Sequence, residues 1–414
     1  MNHFFNDDIL YHILQHAVES NLDEPLTHRA QREALYAYAL VSHMWSRIAQ
    51  SLLFRHVFLQ IRTAMLAFLE VVNHKTERGR RLASYVQVAT IKLSKTRESF
   101  DPPSLPMIQP RHLPALLAHL PSLHELQLRI GEQAFLEKEV SSLRRLSSSI
   151  RVLTLTNAGP GDRQFFHLAQ MFYLWRGLQS LNLEVRYSAG SDAIEFLGPP
   201  FFALRESNLG YTPPEIIPWM LKGSVGVLEH CTFSYAPDIR SAISEHFSTI
   251  RSLTLGQVRW NEDLCNALCS FANLIELRIV QFIVLIGPQF PGKLPNTLQH
   301  LTLVIPAYFW PTFPPRDIEF KTTIPTQLKT YTTIIQKASF PIHNIHERFA
   351  AWVKDYEQAC RHMGVDVRPN FPLVSNLNGG ELGFWSHRKP PTLLQNVRSH
   401  QPWSQDRSSL EGLL

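Results

Sequence analysis

Two pairs of side chains in the sequence have a spacing that could bind a metal ion. His12 and His16 are four residues apart in a segment with helical apolar periodicity, and Cys265 and Cys269 share this spacing in another. Residues i and i+4 lie on one face of a helix, so each pair could supply two zinc ligands. However, Ile13 stands where a zincin needs Glu, and no second Cys/His pair follows the cysteines at zinc-finger spacing. We therefore expect no metal, with the histidines flanking an apolar stripe and the cysteines packed as small buried hydrophobic residues.

Other motifs that carry catalytic chemistry are missing from the sequence. It contains no phosphate-binding loop, no dinucleotide-binding glycine fingerprint and no nucleophile elbow. Gly379, Gly380 and Gly383 do not lie between a strand and a helix, where a cofactor-binding turn would be. We therefore expect no cofactor and no intrinsic enzymatic activity. A hydrolase or transferase built on an α/β domain would need a convergent polar pocket that no motif indicates.

The composition is that of a folded protein with a sizeable core. The chain has 414 residues, of which 44% are hydrophobic and 18% charged, and its length predicts two to three domains. Four cysteines are too few for a disulfide framework and favour a reducing compartment. No apolar run approaches the roughly 20 residues of a membrane span, Phe282–Ile286 being only five residues long, and the N-terminus lacks the features of a secretory signal. We expect a cytoplasmic and/or nuclear protein with no membrane partner.

The charge distribution shows one local excess of basic residues. The net charge is only +5, but basic side chains are concentrated in His74–Arg97. Such a cluster could contact nucleic acid or act as a nuclear address. A solvated basic surface is the simpler interpretation.

The first sixty residues predict three short helices and a strand. Residues 5–18 have apolar side chains at i, i+3 and i+4 spacing. Residues 29–50 predict one or two further helices, with Ser42 as a break or cap between them, and Val57–Ile61 predicts a strand. A unit of this size is marginally stable alone, so its apolar stripe is expected to pack against a partner or the next domain.

Two patterns in this segment are typical of a known interaction motif. Asp7-Asp8-Ile9-Leu10 opens the first helix, and Leu40-Val41-Ser42 followed by Trp45 closes the motif. Over about residues 4–58 the segment resembles the F-box of the large fungal families, although Phe5-Asn6 replaces the family's Leu-Pro. The resemblance implies docking to a Skp-type adaptor and, through it, to a cullin-based ubiquitin ligase. The alternative is an ordinary helical cap that buries the same residues against the following repeats.

Under this resemblance an apolar surface of the helices binds the adaptor. The candidate residues are Ile9, Leu10, Ile13, Leu40, Val41, Trp45 and Leu52. Trp45 is the expected anchor because buried Trp side chains dominate the energetics of many interfaces.

A leucine pattern recurs along the chain after residue 84. The pattern Leu/Ile-x-x-Leu-x-Leu/Ile begins at Leu123, Ile150, Leu178, Ile250, Leu274 and Leu298, at intervals of 27, 28, 72, 24 and 24 residues. Since 72 is three times 24, we expect degenerate copies in the gap, and they begin at Leu204 and Leu228; Val88-Ile91-Leu93 and Leu328-Tyr331-Thr333 are a first and a last copy. Each copy predicts a strand with inward leucines after an apolar helical stretch. The pattern is similar to the irregular leucine-rich-repeat arrays that follow F-boxes; the alternative is a non-repetitive α/β domain with leucine-rich strands.

The predicted fold class is α/β, with a small all-α F-box-like N-terminal domain followed by an irregular leucine-rich-repeat solenoid. The expected boundaries are 1–60 for the F-box-like domain, 61–84 for a linker helix, 85–340 for the solenoid, 341–370 for a C-terminal capping helix and 371–414 for an extended or mobile tail.

The side chains between the leucines of each strand are the candidates for target binding. Alternation places them on the opposite face from the leucines, and stacked strands would align them on one concave surface. The set is Glu125, Gln127, Arg129, Thr154, Asn182, Glu184, Thr254, Glu276, Arg278 and His300, and Val152, Ser180, Ser252 and Val280 are expected to be exposed beside them. With three acidic and two basic members, the set lacks the positive excess of a nucleic-acid-binding surface, so a protein target is expected and nucleic acid is not.

The sequence thus predicts a substrate-receptor subunit of a Skp–cullin–F-box ubiquitin ligase. In this function the F-box binds the adaptor and the repeats bind a protein target. The alternative is a repeat-based protein–protein interaction scaffold with no ligase role.

Overall fold

The computed structural model shows a mixed α/β protein. The residues that it describes are 7–19, 27–93, 107–130, 137–146, 149–157, 163–164, 169, 171–185, 187–188, 198–210, 212–235, 238–256, 262–280, 294–306, 325–336, 354 and 357–368. The predicted tail 371–414, most of the predicted capping helix and the apolar run at 282–286 lie outside these residues.

Twelve parallel strands form one sheet whose spatial order follows the chain. The strands are β1 (His56–Leu59), β2 (Val88–Lys92), β3 (Glu125–Ile130), β4 (Val152–Asn157), β6 (Ser180–Glu184), β8 (Glu206–Asn208), β9 (His230–Phe233), β10 (Ser252–Gly256), β11 (Glu276–Val280), β12 (His300–Pro306), β13 (Thr330–Gln336) and β14 (Asp366–Arg368). A separate two-stranded parallel sheet pairs β5 (Arg163–Gln164) with β7 (Tyr187–Ser188). Because every neighbouring pair is parallel, the chain must return to the same end of the sheet before each new strand begins.

Short helices precede or connect the strands. They are α1 (Asp7–Glu19), α2 (Thr27–Ala39), α3 (His43–Arg55), α4 (Arg62–Val71), α5 (Glu77–Tyr85), α6 (Leu113–Leu117), α7 (Glu137–Leu146), α8 (Ile217–Leu221), α9 (Ile239–Ile243) and α10 (Glu262–Cys269). The apolar stretches before β3, β10 and β11 are helical, as the repeat pattern predicts: they are α6, α9 with the 3-10 turn Ser244–His246 that follows it, and α10.

The leucine repeat sets the register of the sheet. Leu253 pairs with Leu277 on one side and with Cys231 on the other, so the degenerate copy that contains Cys231 is a strand in the same register. Ser207 pairs with Cys231 one strand earlier, and its hydroxyl lies 3.2 Å from the Cys231 sulfur. This contact gives the Ser207 hydroxyl a hydrogen-bond partner inside the core. The predicted strands in the 72-residue gap are therefore confirmed.

The first copy of the repeat was placed two residues too late in the sequence. Ala89 and Ile91 pair with Leu126 and Leu128, whereas the pattern had aligned Ile91 and Leu93 with them. The true register was missed because alanine occupies the first of these positions. Ala89 is fully buried, but it does not match the leucine pattern.

One hydrophobic core runs along the whole sheet, and a second core holds the N-terminal helices together. The main cluster extends from Val57 to Val365 and includes the inward side chain of every repeat. The second cluster consists of Leu10, Leu14, Leu35, Ile48 and Ala49 from α1, α2 and α3. A small cluster under α4 and α5 shares Phe54 and Phe68 with the main core.

Three helices in the first sixty residues are confirmed, with Ser42 between the last two. Ser42 has extended backbone angles, and its hydroxyl accepts a hydrogen bond from the Trp45 N–H at 3.3 Å. This is the geometry of an N-cap, so the chain leaves α2 and restarts as α3. The strand expected at 57–61 is β1, and it pairs with β2. The first strand of the sheet therefore belongs to the segment that we had assigned to the N-terminal domain.

Residues 61–84 form two helices rather than one linker helix. α4 ends at Val71, and α5 begins after Thr76, whose hydroxyl accepts a hydrogen bond from the Gly79 N–H at 2.9 Å. Asn73 and Thr76 make local side-chain hydrogen bonds with the backbone of the turn, which compete with a continuous helix. α5 packs against α3, so this segment connects the helical unit to the sheet.

The C-terminal end of the described chain adds a strand that the sequence pattern did not predict. Residues 357–362 are helical, as expected for part of the capping helix, and Cys360 is buried in the main core. The chain then turns at Gly364, which has a φ of 76°, and β14 pairs with β13.

Candidate functional site

One side of the twelve-stranded sheet is polar along its whole length, and we call it the polar face. Its central row lies between the two leucine positions of each strand and consists of Phe58, Thr90, Gln127, Thr154, Asn182, Asn208, Thr232, Thr254, Arg278, Thr302, Thr332 and Arg368. Only Phe58 in this row is apolar. Polar side chains at one register position on so many neighbouring strands give a continuous surface rather than a pocket.

A second row lies two residues earlier in each strand. It consists of His56, Val88, Glu125, Val152, Ser180, Glu206, His230, Ser252, Glu276, His300, Thr330 and Asp366. From β6 to β12 this row repeats hydroxyl, carboxylate and imidazole in order, so hydrogen-bond acceptors and donors alternate along the surface.

Hydrogen bonds connect the two rows at the N-terminal end of the sheet. The His56 Nε2 and the Thr90 Oγ1 are 2.8 Å apart, and the Thr90 hydroxyl donates to the Gln127 Oε1 at 2.8 Å. The Gln127 amide donates to the Glu125 Oε1 at 2.8 Å. These side chains are therefore held in fixed positions across three strands before any ligand binds.

Two more connections order the middle and the end of the face. The Asn208 amide donates to the Asn182 Oδ1, and the Asn182 amide donates to the Glu184 Oε1 at 3.2 Å. The Ser252 hydroxyl donates to the Glu276 Oε2 at 2.8 Å. Carboxylates that accept such bonds keep lone pairs for further donors, so the face can accept hydrogen bonds from a partner.

Eight of the ten residues predicted for target binding lie in these two rows, and Arg129 and Glu184 lie on the same face in a third row with Lys92 and Thr156, two residues after the central row. Nine of the ten are partly or fully accessible, but Glu125 is only 6% exposed and is therefore not a surface residue. Val152, Ser180, Ser252 and Val280, which were expected to be exposed, are also buried, so a position on this face does not by itself bring a side chain to solvent.

Sequence reasoning missed part of this face. Asn208, His230 and Thr232 belong to the degenerate copies, in which the leucines that mark the pattern are replaced. The regular interval of 24 residues was the signal that could have found them.

The polar face is nearly neutral. Among the described residues of its rows, five carboxylates (Glu125, Glu184, Glu206, Glu276 and Asp366) accompany four permanent cations (Lys92, Arg129, Arg278 and Arg368). Such a mixed surface does not attract polyanions strongly.

The N-terminal helices present exposed apolar side chains. Ile9 and Ile13 are 52% and 49% exposed on one face of α1, and Leu40 and Val41 are 88% and 61% exposed in the turn between α2 and α3. Tyr36, which sequence reasoning did not select, is 61% exposed. Large apolar side chains grouped in this way commonly mark an interaction surface.

Three of the predicted adaptor-binding residues are buried or partly buried rather than exposed. Leu10 is 1% exposed and lies in the second core, because it faces α2 and α3 across the helix from Ile9, so it is not a surface residue. Trp45 and Leu52 are partly buried and pack against the same core, and the Trp45 ring lies 5.8 Å from the Tyr38 ring. Trp45 therefore supports the helical unit from inside as well as lining its surface.

The two pairs of candidate metal ligands differ in their exposure. His12 and His16 are exposed, and Cys265 is buried. Cys269 is exposed, contrary to the expectation that both cysteines are buried, because it occupies the last turn of α10. Within the described ranges, no group of three or more His, Cys, Asp or Glu side chains could hold a metal ion.

Three buried titratable groups, Cys231, Cys360 and His246, lie outside the polar face and the N-terminal helices. Burial raises the pKa of the Cys231 and Cys360 thiols to about 12, so neither is a nucleophile at neutral pH. Burial also lowers the pKa of His246. In the part of the chain that the structure describes, no helix is both long and apolar enough to cross a bilayer.

Comparison with known proteins adds no assignment: no protein-family model matches the chain, and no curated protein is similar to it. Function must therefore be argued from the two surfaces.

Proposed function

We propose that this protein is a substrate receptor of a Skp–cullin–F-box ubiquitin ligase. The N-terminal helices act as an F-box and bind the Skp-type adaptor. The strands and their helices act as an irregular leucine-rich-repeat solenoid, whose polar face binds a protein target. The chain then acts by proximity, because holding both partners raises the effective concentration of the target near the ubiquitin-loaded enzyme.

The observation that carries this proposal is the exposure of four large apolar residues on the N-terminal helical unit. Ile9, Ile13, Leu40 and Val41 are at least 49% exposed, although the adjoining Leu10 and Leu14 are fully buried. Asp7 and Arg47 form an ion pair at 4.0 Å, so the start of α1 lies beside the first half of α3. The resemblance of this segment to an F-box supplies the partner that would cover these side chains.

The polar face supports the second half of the proposal. Its side chains are ordered by hydrogen bonds and carry little net charge, and a long, nearly neutral surface of this kind suits a folded protein or peptide better than a polyanion. If the adaptor does not bind, the same surface fits an interaction scaffold with no ligase role.

The test is adaptor binding by variants of the apolar surface. In the Ile13→Asp/Leu40→Asp double variant, charges replace two exposed apolar contacts, so we expect adaptor affinity to fall at least about tenfold. Co-purification and titration calorimetry with a purified Skp-type adaptor would measure this. Leu10→Ala is unsuitable because it damages the second core.

The matched control places the same charges on another exposed apolar pair. Val225 and Val227 are 48% and 38% exposed in the turn before β9, so Val225→Asp/Val227→Asp should leave adaptor affinity unchanged. Equal losses in both double variants, or no adaptor binding by the unmodified chain, would refute the ligase role.

A further inference from the structure

The residues that directly precede successive strands form a straight row along the end of the sheet at which the strands begin. The row consists of Arg151, Gln179, Arg205, Glu229, Arg251, Ile275, Gln299 and Lys329, and the backbone N–H of each donates to the carbonyl of the one before it at 2.8–2.9 Å. The row crosses eight neighbouring strands, from β4 to β13. At about 4.8 Å per strand, its length is roughly 34 Å.

Cations predominate in this row, and we call Arg151, Arg205, Arg251 and Lys329 the basic edge. Arg205, Arg251 and Lys329 are exposed, and among the residues that the structure describes none of the three forms an ion pair. Arg151 is half-buried, and one of its guanidinium nitrogens donates to the Gly177 carbonyl at 2.9 Å. The row contains one carboxylate, Glu229, so its positive charge is largely uncompensated.

The turns before β6 and β8 and the helix α8 before β9 carry an aromatic cluster, in which Phe201 precedes Arg205 of the basic edge by four residues. Phe201 is 63% exposed, with the Arg176 guanidinium 5.0 Å from its ring centre and the Tyr173 ring at 5.9 Å. The Tyr173 hydroxyl and the Trp219 indole N–H both donate to the Gly198 carbonyl, which fixes both rings. Rigid aromatic side chains next to arginine are the residue types that contribute most to protein interfaces.

We propose that the basic edge and the aromatic cluster bind an extended acidic segment of a partner protein, with a carboxylate at every third residue. Arg151, Arg205 and Arg251 lie two strands apart, which is about 9.6 Å. A polyproline II segment rises about 3.1 Å per residue and presents every third side chain on the same side, so its repeat is about 9.3 Å. Carboxylates at this spacing can each pair with one arginine, while an apolar residue of the segment packs on Phe201.

A polypeptide suits this edge better than a nucleic acid does. Glu229 lies between Arg205 and Arg251, so the uniformly charged backbone of a nucleic acid would meet a carboxylate there. A polypeptide can place a neutral residue at that position. The surface is separate from the polar face, and the proposal does not depend on the ligase function.

The test is a titration of the full chain with a fluorescent peptide made of Glu-Pro-Pro repeats. A second peptide has the same residues with all Glu consecutive, and an oligonucleotide of equal charge is a third probe. We expect the Glu-Pro-Pro peptide to bind most tightly, with an affinity that falls as salt is raised. Arg205→Gln/Arg251→Gln should weaken binding at least about tenfold, since two charge-assisted pairs are lost.

The matched control is Arg240→Gln, which removes an exposed cation from α9. It should change the affinity less than about twofold, and thermal unfolding of all variants should show that they are folded. Equal binding of both peptides, equal effects of the edge and control variants, or no peptide binding would overturn the proposal. Tighter binding of the oligonucleotide through Arg205 and Arg251 would also overturn it.

Discussion

At the residue scale, the buried histidine of the main core is the clearest source of pH dependence. His246 is 3% exposed, and its Nδ1 makes no hydrogen bond with any part of the chain that the structure describes. Burial lowers its pKa below the usual 6.5, outweighing the opposite effect of the neighbouring Glu245 carboxylate. The unfolded chain therefore binds a proton at a higher pH than the folded protein does.

This difference predicts that the protein loses stability in mild acid. The contribution of neutral His246 to stability is complete above about pH 6.5 and is lost as the pH falls towards the lowered pKa of the folded state. His246→Gln removes this titration, so its free energy of unfolding should fall less between pH 7.5 and 5.5 than that of the unmodified protein. Urea denaturation across this range measures both slopes. Identical slopes in both proteins would contradict the assignment.

The residue scale also shows why exposure was the hardest property to predict from the sequence. Alternation correctly placed Glu125 and Val152 on the polar face, yet both are buried. Whether a side chain reaches solvent depends on what packs around it, and the neighbours of Glu125 on the adjacent strands, Val88 and Val152, are identified only by the register of the sheet. Leu10 differs from Ile9 in the same way, since only the packing of α2 and α3 decides which one is covered.

At the element scale, the sequence predicted the helices and strands well where local signals are strong. The leucine interval located β3, β4, β6 and β10–β13, and Ser42 located the boundary between α2 and α3. The signal failed where tertiary contacts replace it: β14 has no leucine pair, and it forms because the edge of β13 offers backbone partners.

The N-cap of α3 provides a prediction at this scale. Ser42 is exposed, and its hydroxyl accepts a hydrogen bond from the Trp45 N–H. A substitution at this position therefore acts on α3 through the loss of this hydrogen bond. Ser42→Ala should lower the stability of the helical unit by about 1 kcal/mol, and Ser42→Asp, which can also cap, should preserve it. Hydrogen exchange of the α3 amides measures the change. Equal exchange in the two variants would show that the cap does not stabilise the helix.

At the scale of the whole molecule, the two cores divide the chain into units that open separately. The second core consists of residues from α1, α2 and α3, whereas the main core follows the sheet from Val57 to Val365. The connections between them include Phe54, the packing of α3 on α5, and the direct continuation of α3 into β1. A defect in one core should therefore increase local opening in that unit more than in the other.

Two leucine truncations test this division. Leu10 and Leu253 are each no more than 1% exposed, so Leu10→Ala and Leu253→Ala should both cost about 2–5 kcal/mol where they act. By hydrogen exchange, Leu10→Ala should speed exchange in α1 and α3 and leave β9–β11 unchanged, whereas Leu253→Ala should do the reverse. If both variants changed the same segments, the molecule would open as one unit. Separate opening would mean that the adaptor-binding helices and the polar face can be altered independently, as a protein that connects two partners requires.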